Sequence, residues 1–211
     1  MPNSKLAKLL TNKLPSGHST LFNPYRDRCD EDEPCNGPEA KLARLAAHFA
    51  CDPKFILGGE AAGYQGCRHS GIAFTSERVL REGRIPRILK MNHRLTSRAL
   101  PYSEPSATIV WEALCKLGIE ERTILWNAIQ MHPHEEGKPQ SNRKPTSDEI
   151  EKGKPALRML LDAFRSAKVV AVGRTAERSL KSMGVHADYV RHPAYGGKKE
   201  FTKELERLVS G

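Results

Sequence analysis

Phe55-Ile56-Leu57-Gly58-Gly59-Glu60-Ala61-Ala62-Gly63 is the stretch from which the rest of the chain can be read. Three bulky apolar residues in a row fit a strand buried on both faces, and the glycines behind them stop it in a tight turn. Just upstream, residues 38–50 set Leu42, Leu45, Ala46 and Phe49 at helical spacing behind Pro38, which predicts an amphipathic helix. Downstream the alternation recurs. A helix is expected over 104–117, an apolar run from Thr123 to Ile129, a helix around 147–164 and a run from Lys168 to Val172 ending at Gly173. A helix over 174–183, a run from Ala187 to Arg191 and a last helix near 197–209 complete the pattern. Short apolar runs separated by helices predict an α/β chain, a three-layer α/β/α sandwich around a four-stranded parallel sheet. Ligands of such sheets bind beyond the carboxyl ends of the strands, so chemistry is sought in the residues that follow each run.

With 211 residues, 38% of them hydrophobic, the chain suits one compact domain, expected over 37–211. Residues 1–36 read as an N-terminal extension packed on it. They are poor in apolar periodicity, carry the acidic patch Asp30 to Glu33, and have one apolar anchor, Leu21-Phe22-Asn23-Pro24-Tyr25. His132 to Asp148 is expected to be the longest irregular segment and the loop that faces a partner. The formal charge of +9 and a pI near 9.4 favour a polyanionic partner, through counterions released from its phosphates. No apolar run reaches the roughly 18 residues a membrane helix needs, and residues 1–13 lack the apolar core of a secretion signal. A monomer in the cytoplasm, without membrane contact, is the expectation. Five cysteines without a CxxC pair suggest neither a disulfide framework nor a zinc knuckle, so no metal and no cofactor are expected.

The run ends carry Glu60 after the first, Asn127 within the second, Gly173-Arg174 after the third and His192-Pro193-Ala194-Tyr195-Gly196-Gly197 after the fourth. A carboxylate, an amide and an imidazole would therefore meet on one rim. Singly, each has a commoner structural explanation, as a turn former, a loop residue or a tight turn.

Together, in this order over about residues 55–205, they resemble the uracil-DNA glycosylase superfamily. Gly59-Glu60-Ala61-Ala62-Gly63 resembles its first motif and Arg191-His192-Pro193-Ala194-Tyr195 its second. Ser70 to Glu77 resembles the segment bearing the aromatic that stacks on uracil, Trp126-Asn127 the strand end bearing the base-reading Asn, and Pro139 to Pro145 the Asn-Arg loop beyond it. Val170-Ala171-Val172-Gly173 matches the third-strand pattern. The resemblance implies a base excision repair enzyme that flips uracil out of DNA and hydrolyses its N-glycosidic bond.

Residue by residue, it implies that His192 donates to the oxyanion developing on uracil and that Asn127 selects the base through its amide. Phe74 would stack on the flipped base, with Gly59, Ala61 and Tyr64 completing the base site. Tyr195 would act as a wedge, and Gly196 and Gly197 would offer free backbone N–H groups to a phosphate at a helix start. Asn142, Arg143 and Lys198, with Lys144 and Lys199, would touch the DNA backbone. Family members with Asp at the third position of the first motif use it to orient water, but Ala61 stands there. Glu77 is the preferred substitute, with Glu60 in a positioning role, although Glu77 also opens a helix where a carboxylate serves equally as a cap. One branch of the family holds an iron-sulfur cluster through four cysteines, one of them shortly after the Asn. Met131-His132-Pro133-His134 fills that stretch, so no cluster is expected. A competing expectation is a uracil- or abasic-site-binding protein with little turnover, trapping the sugar through His132 or His134. A nucleotide-binding protein of flavodoxin type is disfavoured, because the glycine turns lack a GxGxxG or P-loop pattern.

Overall fold

The computed structural model describes residues 3–210, and in it the four apolar runs lie side by side in a single parallel sheet. From the N-terminus the elements are α1 (Asn3–Asn12), β1 (Leu21–Phe22), α2 (Pro38–His48), β2 (Phe55–Ala61), α3 (Cys67–Ser70), α4 (Glu77–Glu82) and α5 (Pro105–Leu117). They continue with β3 (Thr123–Ile129), β4 (His132–Pro133), α6 (Ser147–Ala163), β5 (Lys168–Val172), α7 (Arg174–Ser182), β6 (Asp188–Val190) and α8 (Lys198–Ser210). The strand order is β3-β2-β5-β6. Gly59 on β2 is level with Asn127 on β3, and Leu57 with both Leu125 and Val170.

Alternation along each strand sends side chains to two separate cores. Ile56, Ile124, Trp126 and Ala171 pack with α1, α2, α6 and α7 on one face. Leu57, Leu125, Val170 and Val172 pack with α4, α5 and α8 on the other. The carboxyl ends of all four strands thus open on one rim between two helical layers. Helix α6 begins with a complete capping box, in which the Thr146 hydroxyl accepts from the Glu149 N–H while the Glu149 carboxylate accepts from the Thr146 N–H.

Within residues 3–36, α1 places Leu6, Ala7 and Leu10 in the same core as α2 and α6, and β1 pairs antiparallel with β4. One expectation is corrected. The longest irregular segment is 83–104, not His132 to Asp148. Glu77, fully buried, ties it down by accepting from Arg94 Nε (2.6 Å), Leu95 N (2.9 Å), Thr96 Oγ1 (2.7 Å) and Tyr102 N (3.2 Å), and main-chain bonds from Glu33 N to Leu95 O and from Ser97 N to Glu31 O (2.9 Å each) add to the hold. Among the described residues no helix is long and apolar enough to cross a membrane.

Candidate active site

Beyond the strand ends lies a cleft of about 410 Å³ whose walls include Glu60, Ala61, Phe74, Glu104, Asn127, Asn142, His192 and Tyr195. The separate run ends noted in the sequence therefore converge. Gly59 makes the convergence possible: a Cβ there would stand 2.5 Å from Asn127 Oδ1 and 2.6 Å from Phe74 Cζ. Phe74 adopts φ +49°, unusual for an aromatic residue. The bend is held next door by Thr75, whose hydroxyl accepts from the Trp111 indole N–H (3.1 Å) and donates to the Ala73 carbonyl (3.0 Å). The Phe74 and His192 rings face across the cleft with centroids 5.8 Å apart.

Asn127 is 2% exposed, and its amide has one orientation. Its backbone N–H donates to Gln130 Oε1 (3.0 Å), which identifies that atom as the oxygen; the same oxygen accepts from Asn127 Nδ2 (3.0 Å). Gln130 Nε2 in turn donates to the Tyr25 hydroxyl (3.2 Å), whose proton goes to the Gly71 carbonyl (2.6 Å). Every donor and acceptor in this chain is assigned from a backbone group at each end. One Nδ2 proton and Oδ1 remain for a ligand.

His192 has a similarly fixed tautomer. Its Nδ1 accepts from the Ala194 N–H (3.2 Å), so a neutral ring carries its proton on Nε2. Burial pushes its pKa down and Arg191 adds to the effect, against an opposing pull from Glu60, so the ring is a neutral donor at neutral pH. Gly173, at φ +88°, and Gly197 pack against it; a Cβ on Gly197 would lie 2.2 Å from the His192 carbonyl oxygen. Glu60 stands on the rim beside His192 and accepts a hydrogen bond from the Thr175 hydroxyl at the start of α7.

Several expected site residues do other work. Glu77 is outside the cleft walls, and its four hydrogen bonds fill the acceptor sites of a carboxylate, so it has none for a catalytic water. Burial would raise its pKa, but those bonds outweigh it and hold the group ionised. Tyr64 is not in the cleft wall either; its ring packs edge-on against Tyr102 (5.9 Å), and its N–H donates to Asn142 Oδ1, joining the first-motif loop to the Asn-Arg loop. Arg143 lines the cleft, yet all five of its N–H donors are engaged, by Glu149, His134 O, Lys144 O and Thr20 O. It clamps the 134–146 loop and is not free for a phosphate. The Gly197 N–H donates to Ala194 O, so it too is unavailable, and Lys198 pairs with Glu112 (3.1 Å). Tyr195 is fully exposed at φ +53°, projecting from the rim beside Gly196.

His132 and His134 lie outside the cleft walls, and both are buried. His132 is fixed by Arg68 (2.8 Å) and the Ser141 carbonyl (2.8 Å), and burial with the Arg68 charge lowers its pKa to about 3. Cys29, Glu31 and His69 bring ligand-type atoms within 4.8 Å of one another, but the Arg68 guanidinium lies 3.6 Å from the Cys29 sulfur and already supplies positive charge there. Gln130, Tyr25, Thr175 and Glu104 are site residues that no motif announced.

A family model described as the uracil DNA glycosylase superfamily matches residues 46–208. Among solved structures, wild-type SMUG2 of Pedobacter heparinus superposes with a TM-score of 0.67, covering 100% of this chain and 97% of its own, at 14% identity. At that identity the likeness is one of fold. No curated protein matches the chain.

Proposed function

The chain belongs to the uracil-DNA glycosylase superfamily, a family of DNA repair hydrolases, and from that premise we propose that it excises uracil, leaving an abasic site. The observation that carries the reading is the single cleft holding Phe74, His192 and an Asn127 amide locked in one orientation.

A pyrimidine flipped from the stack enters edge first and lies against Phe74. Asn127 donates one Nδ2 proton to O4 and accepts from N3–H through Oδ1; cytosine offers the opposite pair and leaves both groups unsatisfied. As the bond between N1 and the sugar carbon breaks, its electron pair moves onto uracil and spreads to O2. His192 Nε2–H donates to that oxygen, a dipole placed in advance where charge develops. Water then adds to the cationic sugar carbon and gives its proton to Glu60, the rim carboxylate beside His192, and the uracil anion takes up a proton on release. Glu60, rather than Glu77, has this role because it lines the cleft and accepts one hydrogen bond, from Thr175, while Glu77 lies outside the cleft with both oxygens engaged. Tyr195 is placed to fill the gap left in the duplex.

The reading is tested with an oligonucleotide bearing one uracil, incubated with protein and chelator and then treated with alkali. Cleavage at the uracil is expected; an intact strand in every uracil context would overturn it. Covalent sugar capture by His132 or His134 finds no support in two buried rings outside the cleft.

A further inference from the structure

A second pocket, of about 320 Å³, shares no wall residue with the cleft and is lined by Cys29, Glu31, Arg68 and His69 among others. We propose that Cys29, Glu31 and His69 bind one zinc ion, a brace between the 29–32 turn and α3 that stands apart from the cleft.

The imidazole is the anchor. His69 is 1% exposed, and its Nδ1 lies 2.9 Å from Asp32 Oδ1. An ionised carboxylate only accepts, so the proton of the neutral ring sits on Nδ1. The lone pair on Nε2 is then buried without a hydrogen-bond partner among the described residues. Burial lowers the His69 pKa against the pull of Asp32, and the neutral ring is the form that ligates a metal. An imidazole held on a carboxylate through its far nitrogen is the usual setting of a zinc-bound histidine. Nor can this ring turn away. Its face stacks on Tyr102, with centroids 4.8 Å apart and planes at 12°, and the His69 carbonyl accepts from Arg44 and from Asn36 Nδ2 (3.1 Å each).

The other two ligands come from one turn, closed by the Asp32 N–H on the Cys29 carbonyl (2.9 Å). Cys29 Sγ, a Glu31 carboxylate oxygen and a His69 ring nitrogen all lie within 4.8 Å of one another. A tetrahedral zinc holds such atoms roughly 3.3–3.8 Å apart, so side-chain movements of about 1 Å close the site. Cys29 and Glu31 are only partly buried and can make them. Glu31 is already oriented: its two oxygens accept from the Tyr102 hydroxyl and from Gln140 Nε2 (2.7 Å each) and keep further lone pairs for a metal. The Arg68 guanidinium, 3.6 Å from the sulfur, answers the sulfur alone; it leaves Nε2 bare and can stay as an N–H donor to a metal-bound thiolate. Sulfur, imidazole and carboxylate together suit zinc rather than magnesium or calcium, and the pocket leaves a fourth position to water. On binding, Cys29 gives its proton to solvent.

The experiment strips the full chain with chelator and titrates it with zinc against a chromophoric competitor, then with cobalt, whose absorption reports a thiolate ligand. The wild type should take up one zinc with a Kd of ~1 µM or tighter, and zinc should raise its melting temperature by at least ~4 °C. Cys29→Ser should weaken zinc binding at least ~10-fold and abolish the cobalt-thiolate absorption. His69→Gln, or Glu31→Gln should the His69 variant not fold, should weaken zinc binding by at least as much. Cys35→Ser and Cys115→Ser, which remove the two exposed thiols, should change neither readout. A wild type that takes up no zinc overturns the proposal, as does a Cys29→Ser variant that binds it as tightly. So does a thiolate absorption that disappears with Cys35 or Cys115 instead, which would put the ion on a surface thiol.

Discussion

Asn127 presents a defined face because Gln130 leaves its amide no second orientation. Replacing Gln130 with Leu keeps the volume but frees the amide to turn over, and the turned amide suits cytosine, accepting from N4 and donating to N3. Gln130→Leu should therefore lower the ratio of uracil to cytosine release at least ~10-fold in single-turnover assays; an unchanged ratio would show that the amide is held by other means. The two glutamates separate in the same way. Glu60→Gln should slow uracil release by about 100-fold or more with little change in stability. Glu77→Gln should leave a buried donor facing a donor and cost at least ~2 kcal/mol in urea unfolding. Asn127, Phe74 and His192 could be read from sequence because each sits in a short motif at a strand end. Gln130, Glu104 and the true surroundings of Glu77 could not, since their roles depend on contacts 17 to 105 residues away in the chain or on loop geometry that no local pattern records.

At the scale of elements, the site depends on close backbone approaches. A Cβ on Gly153 of α6 would fall 2.2 Å from the Ala128 carbonyl oxygen on β3, one residue past Asn127. Gly153→Ala should cost ~1–3 kcal/mol through overpacking and also reduce uracil release, because the strand that carries Asn127 must move. The strand-helix alternation announced itself through short continuous apolar runs between segments of helical spacing, and the four strands and the helices from Pro38 onward follow it closely. Helix α1 was missed although Leu6, Leu10 and Leu14 do recur at helical spacing. Its ten residues have no acidic first turn, and a helix so short owes its stability to packing on α2 and α6 rather than to its own sequence. The 83–104 segment has no local pattern, since it is ordered by the Glu77 carboxylate and by a short antiparallel bridge to residues 31–33, partners distant in the chain.

For the molecule as a whole, the +9 charge predicts DNA binding that weakens steeply with salt. Acid should act on the fold through its imidazoles. His48 accepts from the Leu125 N–H, and burial first, then Arg87, lowers its pKa to about 3, close to that of His132. An unfolded chain takes up these protons near pH 6.5, the folded chain only near 3, so the stability they confer is whole above about pH 6.5 and falls as pH falls. The slope approaches ~1.4 kcal/mol per pH unit for each ring. Urea midpoints should thus drop between pH 7 and pH 5, and equal midpoints would contradict the assigned neutral state. The central claim, that Asn127 and His192 act on one flipped uracil, is met most directly by single-turnover uracil release from a U:G duplex by the wild type, Asn127→Ala and His192→Ala. The account predicts release by the wild type and a loss of about 100-fold or more in each variant at unchanged melting temperature; a wild type that leaves uracil in place, or variants that match it, would contradict it.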